Sequence, residues 1–219
     1  MRAGEPMAEF AIQRKTMVDN QIRTVDVTDH GVLGAFLSVG REAFVPAALE
    51  TLAYVDRPVD LGGGRFVMQP APLAKLIQLA APQAGEKVLI IGGNTGYSAA
   101  IVAAMGAQVT VVEERADLAE TAKAKLGDAA DVVVGPMTAG APAKAPYDLV
   151  LIDGAVEVVP EALTDQLADG GRLVAIEGAG LSGRATVTVK AAGTLSSRLA
   201  FNLPGLVIDA FRKPKAFVL

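Results

Sequence analysis

Cysteine is absent from the 219 residues. That excludes disulfides, thiolate metal ligands and cysteine nucleophiles. It fits a reducing compartment, so a cytoplasmic location is expected. Tryptophan is absent too, and aromatics make up 5% of the chain, which argues against a platform for stacking bases. There is one histidine, His30. Nothing near it supplies the company that a zinc site or a Ser-His-Asp triad needs, so no metal is expected. Basic residues are outnumbered, 20 against 24 acidic, for a net charge of -4. A basic nucleic-acid footprint is therefore not expected. No apolar run reaches the length of a membrane-spanning helix. The opening "MRAGEPMAEF" lacks the long apolar core of a signal peptide. Neither nucleic acid nor membrane is an expected partner.

What is present is a composition that is 51% hydrophobic and 20% charged. This suits a compact α/β domain with a sizeable core. Residues 1–6 read as a flexible leader and 7–219 as a single domain. Residues 8–50 carry apolar positions at helical spacing, with Thr28 or Asp29 placed to cap a helix that starts at His30. Pro46 breaks the helical pattern, and "DLGGGRF" reads as a hairpin or loop. "APLAKLIQLAAP" is an amphipathic helix entered through Pro70 and Pro72. From Glu86 onward strands and helices alternate, and the strands are continuous apolar runs. That pattern describes a parallel sheet covered on both faces. "TVTVKAAG" and "LSSRLAFNL" alternate in twos and read as late antiparallel strands. The tail "FNLPGLVIDAFRKPKAFVL" is expected to close the sheet as an edge strand, the alternative being a surface that pairs with another subunit.

In a doubly wound sheet, ligands sit at the carboxyl ends of the strands. "VLIIGGNTGYSAA" is a strand, a glycine-rich turn and a helix. Gly92 and Gly96 let backbone approach a ligand closely, and Asn94 tolerates a left-handed conformation where glycine is usual. The next strand ends in Glu113-Glu114, about 20 residues on, where a carboxylate can hold a ribose diol. The plainer alternative is a strand-turn-helix whose glycines only ease packing. The Gly-x-x-x-Gly spacing of Gly92 and Gly96 favours S-adenosylmethionine over a dinucleotide.

These stretches, taken in order, resemble the protein-L-isoaspartate O-methyltransferases. The similarity runs over residues 17–178. It is carried by "MVDNQIRTVDVTDHGVLGAFLSVGREAFVP", "AYVDRPVDLGGGRFVMQP", "VLIIGGNTGYSAA", "VVEERADLAETAKAKL" and "APYDLVLIDGAVEVVPEALTDQLADGGRLV". The resemblance implies a Rossmann-like class I methyltransferase fold with an N-terminal helical region and acceptor-side loop at 7–83 and a core at 84–219. It implies transfer of the methyl of S-adenosylmethionine to isoaspartyl carboxylates of damaged proteins. A carboxylate is already a nucleophile and a sulfonium already an electrophile, so the protein's task is mainly placement and exclusion of water. The cofactor set it implies is Gly92, Gly93, Asn94, Thr95, Gly96, Tyr97, Glu113, Glu114 and Asp153. Met68, Gln69 and Pro70, with residues 64–68, would shape the acceptor side. No catalytic residue is assigned.

The chain departs from the family at several polar positions. Met68 stands where the family has a serine. Ile90 replaces an acid, Asn94 the middle glycine, and Pro136 an aspartate expected near the adenine. Asp153-Gly154-Ala155 replaces Thr-Ala-Ala, and Asp153 either caps a loop or faces the ligand. These changes keep two rival readings open: a methyltransferase with another acceptor, and a binding or scaffold protein that has lost catalysis.

Overall fold

A computed structural model describes residues 5–213. Helix α1 (Glu5–Met17) opens the described chain, so Glu5 and Pro6 of the expected leader are helical, and residues 1–4 lie outside the described residues. The chain winds through a π-turn (Val18–Ile22) that buries Val18 and Ile22. Helix α2 (His30–Ser38) follows. Asp29 caps it by accepting a hydrogen bond from the Val32 N–H at 2.8 Å, and His30 is exposed in its first turn. The "DLGGGRF" segment is a hairpin of β1 (Val59–Gly62) and β2 (Arg65–Val67), which forms its own two-stranded sheet. Helix α3 (Pro70–Ala80) starts on Pro70, where a missing N–H costs nothing.

The core sheet is made of β3 (Lys87–Ile91), β4 (Gln108–Glu113), β5 (Ala130–Val134), β6 (Tyr147–Val156), β7 (Leu167–Glu177), β8 (Arg184–Ala191) and β9 (Thr194–Asn202). Its order is β5-β4-β3-β6-β7-β8-β9. The first five strands of that order are parallel; β8 and β9 are antiparallel additions. Helices α4 (Tyr97–Ala104), α5 (Ala116–Leu126) and α6 (Glu161–Asp165) provide the crossovers. Val88, Leu89, Ile90 and Ile91 are all fully buried because helices cover both faces of the sheet. Each such side chain stabilises the fold by roughly 1.5–3 kcal/mol.

The tail departs from expectation. The sheet's edge is β9, not the residues after it. Residues 203–211 turn back and cross the carboxyl ends of the strands. Ala155 bridges to Val207 there, and the Ile208 N–H donates to the Ala155 carbonyl at 2.9 Å. The apolar Val207, Ile208 and Phe211 are thereby buried, which a free edge could not achieve. Residues 214–219 of the tail lie outside the described residues. No described helix is long and apolar enough to cross a membrane.

Candidate functional site

Strand order reverses at β3, which has β4 on one side and β6 on the other. The crevice for a ligand opens at the carboxyl ends of these strands. The chain places Gly92 at the end of β3, Glu113 at the end of β4 and Asp153 within the end of β6. The turn keeps its special backbone: Gly92, Asn94 and Gly96 have φ of 73°, 53° and 101°. Asn94 holds its left-handed conformation partly because its Nδ2 donates to the Gly92 carbonyl at 2.8 Å. Thr95 donates its hydroxyl to the Phe44 carbonyl at 2.5 Å, which ties the turn to the N-terminal region. A Cβ on Gly93 would lie 2.3 Å from Val111, so that glycine serves close packing against β4.

Glu113 is completely buried. Its Oε2 accepts from the Asn94 N–H at 3.0 Å and its Oε1 from the Arg115 N–H at 3.1 Å. The third partner is Arg65 of β2, whose Nη2 lies 2.6 Å from Oε2. Arg65 is itself buried, and its Nη1 is 3.3 Å from the Met137 sulfur. Of residues 64–68, expected on the acceptor side, Arg65 also reaches across to the cofactor turn. Met68 packs into the apolar core, Gln69 donates to the Asp56 carbonyl at 3.2 Å, and Pro70 is the first residue of α3. Glu114 is exposed beside the site and Pro136 is exposed after β5. Ile90 sits in the core, where the burial of its neighbours leaves no solvent for an acid.

Sequence reasoning missed a second layer. Arg41 is fully buried; its Nε donates to the Ala53 carbonyl at 2.7 Å, and its guanidinium lies 5.0 Å from the centre of the Tyr97 ring. Asp153 is buried, and burial pushes its carboxyl up to about 6 against the opposing pull of the nearby Ser98 hydroxyl and of the Arg65 and Arg41 charges. Burial also raises the Tyr97 hydroxyl far above its ordinary value. Arg41 Nη1, Arg65 Nε, Asn94 Oδ1, Tyr97 OH, Ser98 Oγ and Asp153 Oδ1 have no hydrogen-bond partner. Apart from Gln21 Oε1, these are all the buried side-chain atoms in that condition among the described residues. Such atoms are costly, and their gathering around one turn marks a place built for polar contacts. A hint was available in the sequence: Arg65 is a charge at the start of the otherwise apolar "RFVM".

The backbone of this turn and the carboxylate of Glu113 suit a nucleoside cofactor. The side chains above them close over the turn: a Cβ on Gly92 would meet Ile208 at 3.1 Å, Arg65 Nη2 at 3.2 Å and the Met137 sulfur at 3.3 Å. The turn is thus covered from the hairpin, from the turn after β5 and from the tail. A groove of about 280 Å³ lies just outside, between the hairpin and the tail, lined by Asp60, Arg65, Phe66, Val207 and Asp209.

Sheet order, glycine turn and strand-end acid define the class I methyltransferase architecture. The model of the protein-L-isoaspartate(D-aspartate) O-methyltransferase family matches residues 12–198. A protein-L-isoaspartate O-methyltransferase from Methylorubrum populi is 43% identical over 164 residues, covering 74% of this chain and 77% of that protein. One from Methanoculleus marisnigri is 40% identical, covering 74% and 76%. The chain belongs to the protein-L-isoaspartate O-methyltransferase family. A solved protein-L-isoaspartate O-methyltransferase superposes with a TM-score of 0.75 at 26% identity, covering 89% of this chain and 65% of that one. The fold also matches a putative protein-L-isoaspartate O-methyltransferase from Plasmodium falciparum in complex with S-adenosyl-L-homocysteine, with a TM-score of 0.77 at 17% identity and coverage of 90% and 98%.

Proposed function

We propose that this chain is an S-adenosylmethionine-dependent methyltransferase acting on the carboxyl groups of L-isoaspartyl residues in damaged proteins. Membership of the family supports the reaction class and the kind of acceptor. The observation that carries the cofactor assignment is Glu113: a buried carboxylate at the end of β4, touching the N–H of Asn94 in the glycine turn. Residues 92–97 and Glu113 form the cofactor side, and Asp153 borders it. The proposed acceptor side is the groove between hairpin and tail. Gln69 and Pro70 follow the hairpin into α3, and Met68 anchors the segment in the core. No residue is needed as a general base, because the acceptor carboxylate is ionised at neutral pH. The N-terminal region and the core act as one unit, a proposal supported by their shared apolar core and by the Thr95 hydroxyl bonded to the Phe44 carbonyl. A cytoplasmic location agrees with the cysteine-free composition.

The test is incubation of the purified chain with an isoaspartyl peptide and methyl-labelled cofactor. Base-labile methyl ester on the isoaspartyl peptide, and none on its aspartyl counterpart, is the expected result. Equal labelling of both, or none, would remove the acceptor assignment. One observation favours a second reading, a binding protein without catalysis: Arg65, Met137 and Ile208 fill the space over Gly92. That reading requires that S-adenosylhomocysteine never binds, even after Arg65 is removed.

A further inference from the structure

Arg65 reaches Glu113 from a hairpin whose base is packed in the core through Val59 and Val67 and whose tip is exposed. Strands β1 and β2 pair with each other and with no strand of the main sheet, so no ladder hydrogen bonds tie the tip to it. Three glycines at the tip, Gly62, Gly63 and Gly64, are exposed and have φ of 76°, 58° and 74°. Arg115 holds the tip, donating from Nη1 to the Gly62 carbonyl at 2.6 Å, and Asp209 of the tail lies so close beside Gly64 that a Cβ there would be 2.8 Å from its Oδ2. Just past the tip, Arg65 enters the site and takes the carboxylate that the turn presents.

The two ends of this ion pair are not equally satisfied. Both oxygens of Glu113 are engaged, whereas the Nε of Arg65 is buried and has no partner. The guanidinium is the member that has something to gain by leaving. From the other side Ile208 closes against both Gly92 and Gly154. Hairpin and tail therefore meet over the turn, and the groove lies between them.

We infer that Arg65 is an intramolecular competitor for Glu113, and that the β1–β2 hairpin is the lid that carries it. The inference rests on the proposed cofactor site. A ribose and the Arg65 guanidinium need the same carboxylate, and Arg65 Nη2 already holds its Oε2 at 2.6 Å, so occupancy is exclusive. Opening must break a buried, hydrogen-bonded charge pair. The apparent affinity for cofactor is the intrinsic one scaled by the small open fraction.

Calorimetry with S-adenosylhomocysteine on the full chain tests this. Arg65→Ala is expected to bind about a hundredfold more tightly than the natural chain, the factor that follows from removing a buried charge competitor. Equal affinities in both proteins would overturn the competitor role and leave the cofactor reading standing. Absence of binding to both would overturn the cofactor reading and the competitor with it. If Arg65→Ala fails to fold, the otherwise natural chain decides. It has no cysteine, so spin labels at Asp60→Cys and Lys123→Cys report the distance between hairpin and core. A longer distance on adding S-adenosylhomocysteine supports the lid; an unchanged distance overturns it.

Discussion

Arg65 and Glu113 are 48 residues apart in the chain and 2.6 Å apart in space, and neither is exposed to solvent. The pair joins the hairpin to the core and closes the crevice where the strand order reverses.

Removing one member of a buried pair leaves the other charged and enclosed. Arg65→Ala should therefore destabilise the fold by about 3 kcal/mol, the low end for such pairs. The low end applies because Glu113 keeps the Asn94 and Arg115 N–H groups. The double variant Arg65→Met with Glu113→Gln should cost much less than either charge deletion alone. Urea unfolding of the three variants measures this.

Asp153 should make stability fall with rising pH. Its folded carboxyl is pushed up to about 6, above the ordinary 3.8, because burial disfavours the charge. The folded chain thus holds this proton more tightly than the unfolded chain does. The contribution is most favourable at a pH below the unfolded value and is lost progressively as pH rises to about 6. Asp153→Asn should raise stability at neutral pH by on the order of 2 kcal/mol and bring no gain in strong acid. Unfolding midpoints at the two extremes of pH check both halves.

Gly93 has no room for a methyl group. Gly93→Ala would press a Cβ to 2.3 Å from Val111 Cγ1. A cost of roughly 1–3 kcal/mol is expected from overpacking. Val111→Ala in the same chain should recover part of it, which thermal melts of the single and double variants would reveal.

Arg172 on β7 grips Glu86 with both arms, each at 2.9 Å, and also donates to the Ala80 and Ala81 carbonyls at the end of α3. The Arg172 hydrogen bonds hold the Glu86 carboxyl below its ordinary value of 4.5. This stabilisation is present above that value and is lost as pH falls through the lowered one. Arg172→Lys should cost about 1–2 kcal/mol at neutral pH, because an ammonium cannot reproduce the fork. Its deficit should shrink in acid, where urea midpoints of the two proteins would converge.

Much of the scaffold was legible because it is local. Apolar runs separated by glycine turns gave the parallel strands, and Asp29 and Pro70 marked helix starts through groups carried within one turn of chain. Glu113 was legible from its distance to the glycines. Arg65 was not, since nothing in "DLGGGRF" tells which carboxylate its side chain will meet. That depends on how the hairpin docks. Ile208 was obscured in the same way. The tail's apolar residues fit an edge strand or a buried strap equally well, and only the crevice they cover decides. Arg41 looked like part of a helical region and proved to be buried against Tyr97, a contact between distant segments.

Arg65 must leave Glu113 when the site fills. Arginine side-chain nitrogen NMR reports this directly, because a guanidinium in a buried ion pair rotates slowly and shows separate Nη signals. The free protein should display such signals for Arg65, and they should collapse as S-adenosylhomocysteine is added and the amides of residues 92–96 shift. Amide shifts with the Arg65 signals unchanged would contradict the account.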